Sequence, residues 1–181
     1  MESPFVIAVC KSPTHSMKKP VVPAINLIKG IGVEGDAHSG EKVKHLYLAS
    51  RTPEKPNYRQ VHLMHSELFD ELNELGFSIE PGEMGENITT KGIDLLNLPE
   101  GTLLNLGDSG VIQVTGLREP CSQLNGVEKG LMKAVLGRDE SGHLILKSGV
   151  MAIVIKGGEV KAKDKITVTL PKIPYKKLEP I

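Results

Sequence analysis

The chain has 181 residues, with 22 basic and 22 acidic side chains, no Trp, three Phe and three Tyr. This length allows one domain with a substantial core, and the balanced charge argues against general binding of nucleic acid, which requires an excess of Lys and Arg. The small number of aromatic side chains also argues against stacking platforms for single strands. We therefore expect an aliphatic core and no nucleic-acid partner.

The first residues, "MESPFVIAVCKSPTHS", contain an acidic second position and a short apolar run. A signal peptide needs a basic start and a longer apolar stretch, and no later segment has the length of a membrane span. These features predict a cytoplasmic protein without a membrane partner. In that compartment thiols are mostly reduced, so we expect Cys10 and Cys121 to be free.

Short apolar segments rich in β-branched residues recur between Gly or Pro residues, which is typical of a β-rich or barrel domain. The sequence "DSG" (108–110) predicts a hairpin. The paired glycines of "KGGEV" (156–160) predict another turn, because glycine allows positive φ. The segments that we predict as strands are 5–10, 43–48, 59–64, 86–90, 102–107, 111–117, 149–155 and 165–170.

Two segments with helical periodicity interrupt the strands. In "SELFDELNELG" (66–76), Ser66 is placed as the N-cap and Gly76 as the C-terminal stop. The second segment is "VEKGLMKAVLG" (127–137), which contains an internal Gly130. The apolar faces predicted for the two helices comprise Leu68, Phe69, Leu72 and Leu75 in the first, and Val127, Leu131, Val135 and Leu136 in the second.

The segment 49–58 is polar and contains prolines, which predicts a loop. The last eleven residues, 171–181, contain three prolines and predict an extended tail that is frayed or lies on the surface. The sequence therefore predicts a mainly β (β-rich α+β) fold with two or more short helices. We expect a single domain over residues 1–170, followed by the tail.

The first of three glycine-flanked polar loops is "GIGVEGDAHSGE" (30–41), which carries Glu34, Asp36 and His38. Glycines let the backbone approach a ligand closely, and these side chains could bind a metal, relay protons or hold a polar ligand. A tight turn in which Asp36 caps its own backbone N–H groups is the alternative. The loop matches neither common phosphate-binding glycine motif, which argues against a nucleotide enzyme of either type.

The second loop, "PGEMGENITT" (81–90), reaches Glu86 and Asn87 as a strand begins. The Asn87 amide both donates and accepts hydrogen bonds, which suits a pterin or purine edge, although Asn and Glu are also ordinary turn residues. Arg59 opens a predicted strand and Arg118 closes another. A guanidinium binds phosphate or carboxylate with two parallel hydrogen bonds, and a solvated charge is the alternative.

The third loop, "REPCSQLNG" (118–126), places Cys121 directly after a proline. Cys10 ends an apolar strand, where a thiol behaves as a small buried hydrophobic group. Cys121 lies in a polar loop close to Arg118, and a nearby cation favours the thiolate, whereas Glu119 acts in the opposite direction. We therefore interpret Cys121 as the reactive thiol, suited to sulfur chemistry or to a soft metal.

The sequence "VHLMH" contains His62 and His65, which could suggest a metal site. On a strand their side chains need not converge, and no H-E-x-x-H motif is present. We expect His62 to be a partly exposed strand histidine.

The ordered segments "GVEGDAHSG", "RQVHLM", "PGEMGENITTKGIDLLNLPEGTLLNLGD", "VTGLREPC" and "GVMAIVIKGGEV" together resemble the MOSC domain, named for the C-terminal domain of molybdenum cofactor sulfurase. The match runs from about residue 30 to 169 and is similar to the stand-alone bacterial branch, since no desulfurase or ferredoxin domain is attached. One departure is "AKDKI", where Lys163 precedes Asp164 in place of the expected glycine. We expect this to change a turn and not a ligand.

The resemblance implies a β-barrel-like fold and a role with the molybdenum cofactor. It implies that Cys121 is either a metal ligand and catalytic residue or a carrier of sulfane sulfur received from a separate pyridoxal-phosphate-dependent desulfurase. The positions that match the cofactor-binding motifs are Glu34, Asp36, His38, Arg59, Glu86, Asn87 and Arg118.

Three functions follow as alternatives. The first is a molybdenum-dependent reductase of N-hydroxylated bases or amines, with an electron-donor reductase as partner. The second is a sulfur carrier without redox turnover, and the third is a non-enzymatic domain that binds or delivers the cofactor. Pyridoxal phosphate enters only through a partner desulfurase. Ligation of a metal and persulfide formation require the same residue type, so the sequence leaves these alternatives open.

Overall fold

The computed structural model describes residues 3–181 of the chain, and within them strands predominate over helices. The strands are β1 Phe5–Cys10, β2 Val21–Val22, β3 Ala24–Ile28, β4 Gly32–Val33, β5 Val61–His65, β6 Ile88–Lys91, β7 Leu103–Leu106, β8 Gly110–Leu117, β9 Leu136–Arg138, β10 Leu144–Leu146, β11 Val150–Lys156, β12 Gly158–Lys161 and β13 Ile166–Thr169. The helices are α1 Leu46–Arg51, α2 Glu67–Glu74, α3 Leu124–Val127 and α4 Leu131–Ala134, with a 3-10 helix at Leu95–Asn97. The predicted mainly β class is confirmed.

Eight strands form the main sheet in the order β13-β7-β8-β11-β5-β6-β1-β2. Its neighbouring strands are antiparallel except for the parallel pair β5 and β6. The sheet is open, which corrects the expected barrel. Strand β2 pairs with the outer edge of β1. Between β1 and the residues next to β13 there is no continuous ladder, only an isolated bridge between Phe5 and Lys165 and a few backbone hydrogen bonds.

The strand β5 lies in the middle of the sheet and is covered on both faces. Leu63 packs into the main core between the sheets, whereas Met64 packs with α2, α3 and α4 in a second core. Side chains of a strand alternate between its faces, so both faces of β5 are shielded from water. His62 is consequently only 4% exposed, and the expectation of a partly exposed histidine was wrong.

The predictions for seven of the eight strand segments agree with the structure to within two residues at each end. The predicted strand 43–48 is wrong, because the helix α1 begins at Leu46 and only a bridge between Lys42 and Pro56 forms nearby. The predicted helix 127–137 is confirmed only at Leu131–Ala134, which is α4, because α3 already ends at Val127. Gly130, with φ 90°, breaks it, and Leu136 starts strand β9.

The helix α2 begins after Ser66, as predicted, but the Ser66 hydroxyl makes no capping hydrogen bond. Gly76 follows the helix with φ 90°, which fits its predicted role as the stop. Leu75 is 60% exposed and does not belong to the apolar face. The turn predicted at 156–160 is instead a corner between two sheets, because β12 pairs with β3 and not with β11.

The segment 171–181 lies along the sheet. Leu178 is 3% exposed and belongs to the main core. The backbone N–H of Leu117 donates to the carbonyl of Glu179 at 2.8 Å, and the N–H of Ile181 donates to the carbonyl of Leu117 at 3.2 Å. The division into a domain over residues 1–170 and a separate tail stays a prediction. Within residues 3–181, no helix has the length and apolar character that a membrane crossing requires.

Candidate functional site

A pocket with a volume of about 350 Å³ opens where the predicted polar loops meet beside the sheet. It lies within the size range of small-molecule sites. Five of the residues predicted from the sequence line it: His38, Arg59, Asn87, Arg118 and Cys121. The fold therefore brings together side chains from all three loops, which are separated by up to 83 positions along the chain.

The other three predicted residues do not line the pocket. Asp36 and Glu86 are buried behind it, at 4% and 0% exposure. Glu34 is exposed, and its carboxylate accepts a hydrogen bond from the Asn26 amide at 3.1 Å. Asp36 and Glu86 therefore affect the pocket through the residues to which they are hydrogen-bonded. Direct contact of Glu34, Asp36 and Glu86 with a cofactor stays a prediction.

The two cysteines differ as expected, and neither forms a disulfide. Cys121 follows Pro120 beyond the end of β8, is partly exposed on the pocket wall, and lies 3.8 Å from the Gln123 side-chain oxygen. Cys10 is fully buried. Burial, together with the charge of Glu86, raises the pKa of the Cys10 thiol to about 12. Cys121 is thus the thiol that a pocket ligand reaches.

Two arginines, Arg59 and Arg118, face the same pocket. Among the residues that the structure describes, no carboxylate of Asp or Glu forms an ion pair with Arg59 or Arg118. Arg59 donates to the main-chain oxygen of Ile181. Arg118 contacts the sulfur of Met17 at 3.8 Å, and its buried Nη1 has no hydrogen-bond partner.

Burial lowers the pKa of Arg59 to about 10, and repulsion from Arg118 acts in the same direction. Burial likewise lowers the pKa of Arg118, although the charges of Cys121 and Glu86 oppose this. Two desolvated cations that repel each other favour binding of an anion, because an anion supplies both the missing charge and the missing hydrogen-bond acceptors. This wall of the pocket is therefore suited to a phosphate or another anionic group.

Asp36 is the centre of a buried polar network behind the pocket. Its carboxylate accepts hydrogen bonds from Lys19 Nζ at 2.9 Å and the Asn87 amide at 3.0 Å. It also accepts from the backbone N–H groups of Ser12 at 3.2 Å and His38 at 3.0 Å. Burial alone would raise the pKa of Asp36, but hydrogen bonds from His38 and the charge of Lys19 outweigh burial and lower the pKa. Asp36 is therefore an ionised carboxylate that joins several loops.

The amide of Asn87 is held by the protein on both sides. Its nitrogen donates to the carbonyl of Cys10 at 3.1 Å as well as to Asp36, and its oxygen accepts the N–H of His62 at 3.2 Å. Asn87 thereby fixes β5 and β6 relative to the end of β1. Its predicted contact with a pterin stays a prediction.

Glu86 is buried beside this network. One carboxyl oxygen accepts hydrogen bonds from the N–H of Gly82 at 2.6 Å and the hydroxyl of Thr89 at 2.9 Å, whereas the other oxygen has no partner. Burial raises the pKa of Glu86. The "GEN" motif therefore stabilises the loop 82–87 from inside the protein.

The sequence analysis missed several residues of the pocket wall: His15, Met17, Lys19, His45 and Tyr47. Four of the six histidines, at positions 15, 38, 45 and 62, line this pocket. Burial lowers the pKa of His45 to about 4, and repulsion from Arg59 adds to this effect. A search for histidines next to the glycine-rich loop would have found His45, whereas no local signal marks His15 or Lys19.

Comparisons with known proteins agree with this architecture. The family model of the MOSC domain matches residues 36–167. The YuaD protein from Bacillus subtilis has a similar structure with a TM-score of 0.76 and 21% identity, over 94% of this chain and 98% of that chain.

Two YiiM structures are also similar. The protein from Geobacillus stearothermophilus gives a TM-score of 0.68 at 18% identity, over 96% of this chain and 79% of that chain. The protein from Escherichia coli gives 0.64 at 20% identity, over 97% of this chain and 74% of that chain. At these identities the likeness shows the fold alone. Among curated protein sequences, none matches this chain.

Proposed function

This chain belongs to the MOSC domain family, and from that premise we propose that its pocket binds a molybdenum–pterin cofactor and reduces N-hydroxylated bases or amines. The observation that carries the proposal is that one pocket presents an accessible thiol together with two arginines, and that Nη1 of Arg118 has no hydrogen-bond partner among the described residues. A thiolate suits molybdenum, and guanidinium groups suit the anionic tail of the cofactor. The residues present therefore fit the group.

The division of roles follows from the contacts. Cys121 would hold the metal, because its partly exposed sulfur lies at the pocket on the loop after β8. Arg59 and Arg118 would hold the phosphate, since Arg118 Nη1 is otherwise without an acceptor. When bound, the cofactor supplies two-electron transfer to the substrate. The electrons come from a separate electron-donor reductase, and free thiols fit the reducing cytoplasm.

The buried residues behind the pocket support these side chains. Asp36 and Asn87 connect the loops that carry His38 and His62, and Glu86 fixes the loop 82–87. Polar groups that are held by several hydrogen bonds move little when a ligand arrives, which lowers the cost of ordering the site. The network thereby fixes the position of His38 and of the loop 82–87 at the pocket.

Elemental analysis for molybdenum tests the proposal. We expect protein from cells rich in the cofactor to contain molybdenum, and Cys121→Ala to lose it. Cys10→Ala is the matched control, because its thiol is sealed in the core and cannot contact the pocket ligand. Wild-type protein without molybdenum would contradict cofactor binding. Bound molybdenum without turnover of any N-hydroxylated compound would favour a non-enzymatic binding or delivery domain.

A sulfur carrier is the second candidate, and the partial exposure of Cys121 on a loop favours it. The thiolate would attack the persulfide of a pyridoxal-phosphate-dependent desulfurase, form a new S–S bond, and release the desulfurase cysteine as a thiolate. Mass spectrometry after incubation with the desulfurase and cysteine would then show a gain of about 32 Da, one sulfur atom, on Cys121. Absence of this adduct would eliminate this candidate.

A further inference from the structure

His38 is held in one orientation at the pocket wall. Its Nδ1 lies 3.3 Å from a carboxylate oxygen of Asp36, and its ring packs edge-on against His15 with 4.9 Å between the ring centroids. A carboxylate only accepts hydrogen bonds, so the Nδ1 atom of His38 must carry the proton. The opposite nitrogen, Nε2, is then the acceptor of the neutral ring.

Asp36 itself has little freedom to move. It is 4% exposed and accepts hydrogen bonds from Lys19, Asn87 and Ser12 in addition to those from His38. Such a carboxylate orients an imidazole and stabilises the imidazolium that forms when Nε2 gains a proton. The pair thus has the geometry of an acid–base group, and the ring of His38 lines the pocket.

The histidines of the pocket do not form a metal cluster. In the part of the chain that the structure describes, no group of three His, Cys, Asp or Glu side chains is arranged to hold a metal ion. His15 uses its Nε2 on the carbonyl of Lys44 at 3.0 Å, and His62 uses its Nε2 on the carbonyl of Ser148 at 2.8 Å. His38 therefore differs from these two, because its Nε2 makes no hydrogen bond to any residue from 3 to 181.

We propose that His38 is a catalytic residue that delivers a proton to the hydroxyl group leaving an N-hydroxylated substrate, and that Asp36 is its positioning residue. This inference rests on the reductase function proposed above. In the reduction, R–NH–OH, two electrons and two protons give R–NH₂ and water. The N–O bond breaks, and the two electrons come from the separate electron donor. The protonated Nε2 of His38 gives one proton to the oxygen, which leaves as water, and the nitrogen takes the second proton from solvent water.

The charges around His38 determine when it carries that proton. Burial lowers its pKa, the hydrogen bond to Asp36 raises it, and the charges of Lys19 and His15 lower it. His45 is the further titratable group whose charge couples to His38. An anion bound to the arginines of the pocket would raise the pKa of His38, because it neutralises part of this positive field. Ligand binding therefore prepares His38 to act as an acid.

The test compares His38→Gln with wild type in steady-state reduction of an N-hydroxylated base, with chemically reduced viologen as the electron donor. Glutamine keeps a polar side chain of similar length but carries no proton at neutral pH. We expect kcat to fall by about 100-fold or more, with KM and molybdenum content unchanged. The matched control is His143→Gln, since His143 forms the same kind of pair with Asp139, at 3.1 Å, on the exposed surface.

A second readout needs no cofactor. Nitrogen NMR of the free protein should show His38 with a proton on Nδ1 and none on Nε2 near pH 8. In the turnover assay, which does need the cofactor, Asp36→Asn should move the decline of kcat with rising pH to lower pH. A reduced molybdenum content in His38→Gln would make His38 a cofactor-binding residue and overturn the inference, as would a kcat close to wild type. Wild-type protein with no molybdenum and no turnover would instead overturn the reductase function itself.

Discussion

The buried ion pair between Lys19 and Asp36 gives a quantitative test of how the pocket is built. In Asp36→Asn, the Lys19 ammonium would lose its carboxylate partner although its side chain is only 2% exposed. Removal of one partner of a buried pair costs about 3–5 kcal/mol, because the other charge stays desolvated. We expect the upper part of this range, since Lys19 Nζ makes no other side-chain hydrogen bond among the described residues.

The reverse change, Lys19→Met, should cost less. Asp36 keeps the hydrogen bonds from Ser12, Asn87 and His38, so its charge remains stabilised by donors of the protein. We expect a loss of about 2–3 kcal/mol in the free energy of unfolding. The structure thus predicts an asymmetry of about 2 kcal/mol between the two variants, with Asp36→Asn the less stable.

Urea unfolding followed by circular dichroism measures both values at pH 7. The pKa of Lys19 is lowered by burial in the folded protein, although Asp36 opposes the shift, and loss of Asp36 lowers it further. The unfolded chain of Asp36→Asn then binds more protons than the folded chain, so its stability should rise with pH up to about 10. Lys19→Met should lack this recovery. Equal losses below about 1 kcal/mol in both variants would refute the reasoning.

Three further outcomes follow from the structure. Ellman's reagent should modify one thiol per native chain at pH 8, at Cys121, and a second only after unfolding, because burial raises the pKa of Cys10 to about 12. Lys163→Gly should raise Tm by about 2–4 °C, since Lys163 has φ 73° and glycine removes about 1 kcal/mol of backbone strain. Arg118→Met should stabilise the ligand-free protein by about 1–2 kcal/mol, as it removes an unpaired buried donor, while it weakens retention of molybdenum. The first argument would be contradicted by two reactive thiols in the native chain, and the second by an unchanged Tm in Lys163→Gly. The third would be contradicted if Arg118→Met were less stable than wild type.

The strands of the core were predictable because their pattern is local. The run at Phe5–Cys10 is β-branched and apolar, and it became a strand with the predicted bounds. The segment 43–48 has a similar alternation but became part of α1, a helix with no buried residue. Within the described part of the chain no strand pairs with this segment, and the bridge between Lys42 and Pro56 lies just before it, so the pattern had no ladder to stabilise it. Local alternation predicts a strand only where the fold supplies a partner.

The candidate site was predictable only in part, for the same reason. Glycine-flanked loops and the Pro–Cys sequence marked His38, Asn87 and Cys121, because these positions carry a local signal. Lys18 and Lys19 are adjacent and chemically identical, yet Lys18 is exposed with Glu83 and Lys19 is buried with Asp36. Only the packing of distant loops distinguishes them. The departure at Lys163 behaves as expected, since it lies in the turn before β13 and not at the pocket.

The two arginines explain why a stable chain retains such a pocket. Arg59 and Arg118 are partly or largely buried and repel each other, and each has a lowered pKa, so the ligand-free pocket stores unfavourable electrostatic energy. An anion bound between them would reduce this repulsion and would accept a hydrogen bond from Nη1 of Arg118. Part of the binding free energy would then come from relief of the electrostatic repulsion already present in the ligand-free protein. In the anion site that we propose, the same residues would lower the stability of the free chain and increase the affinity for the ligand, which is the trade-off expected of a binding site and not of a structural core.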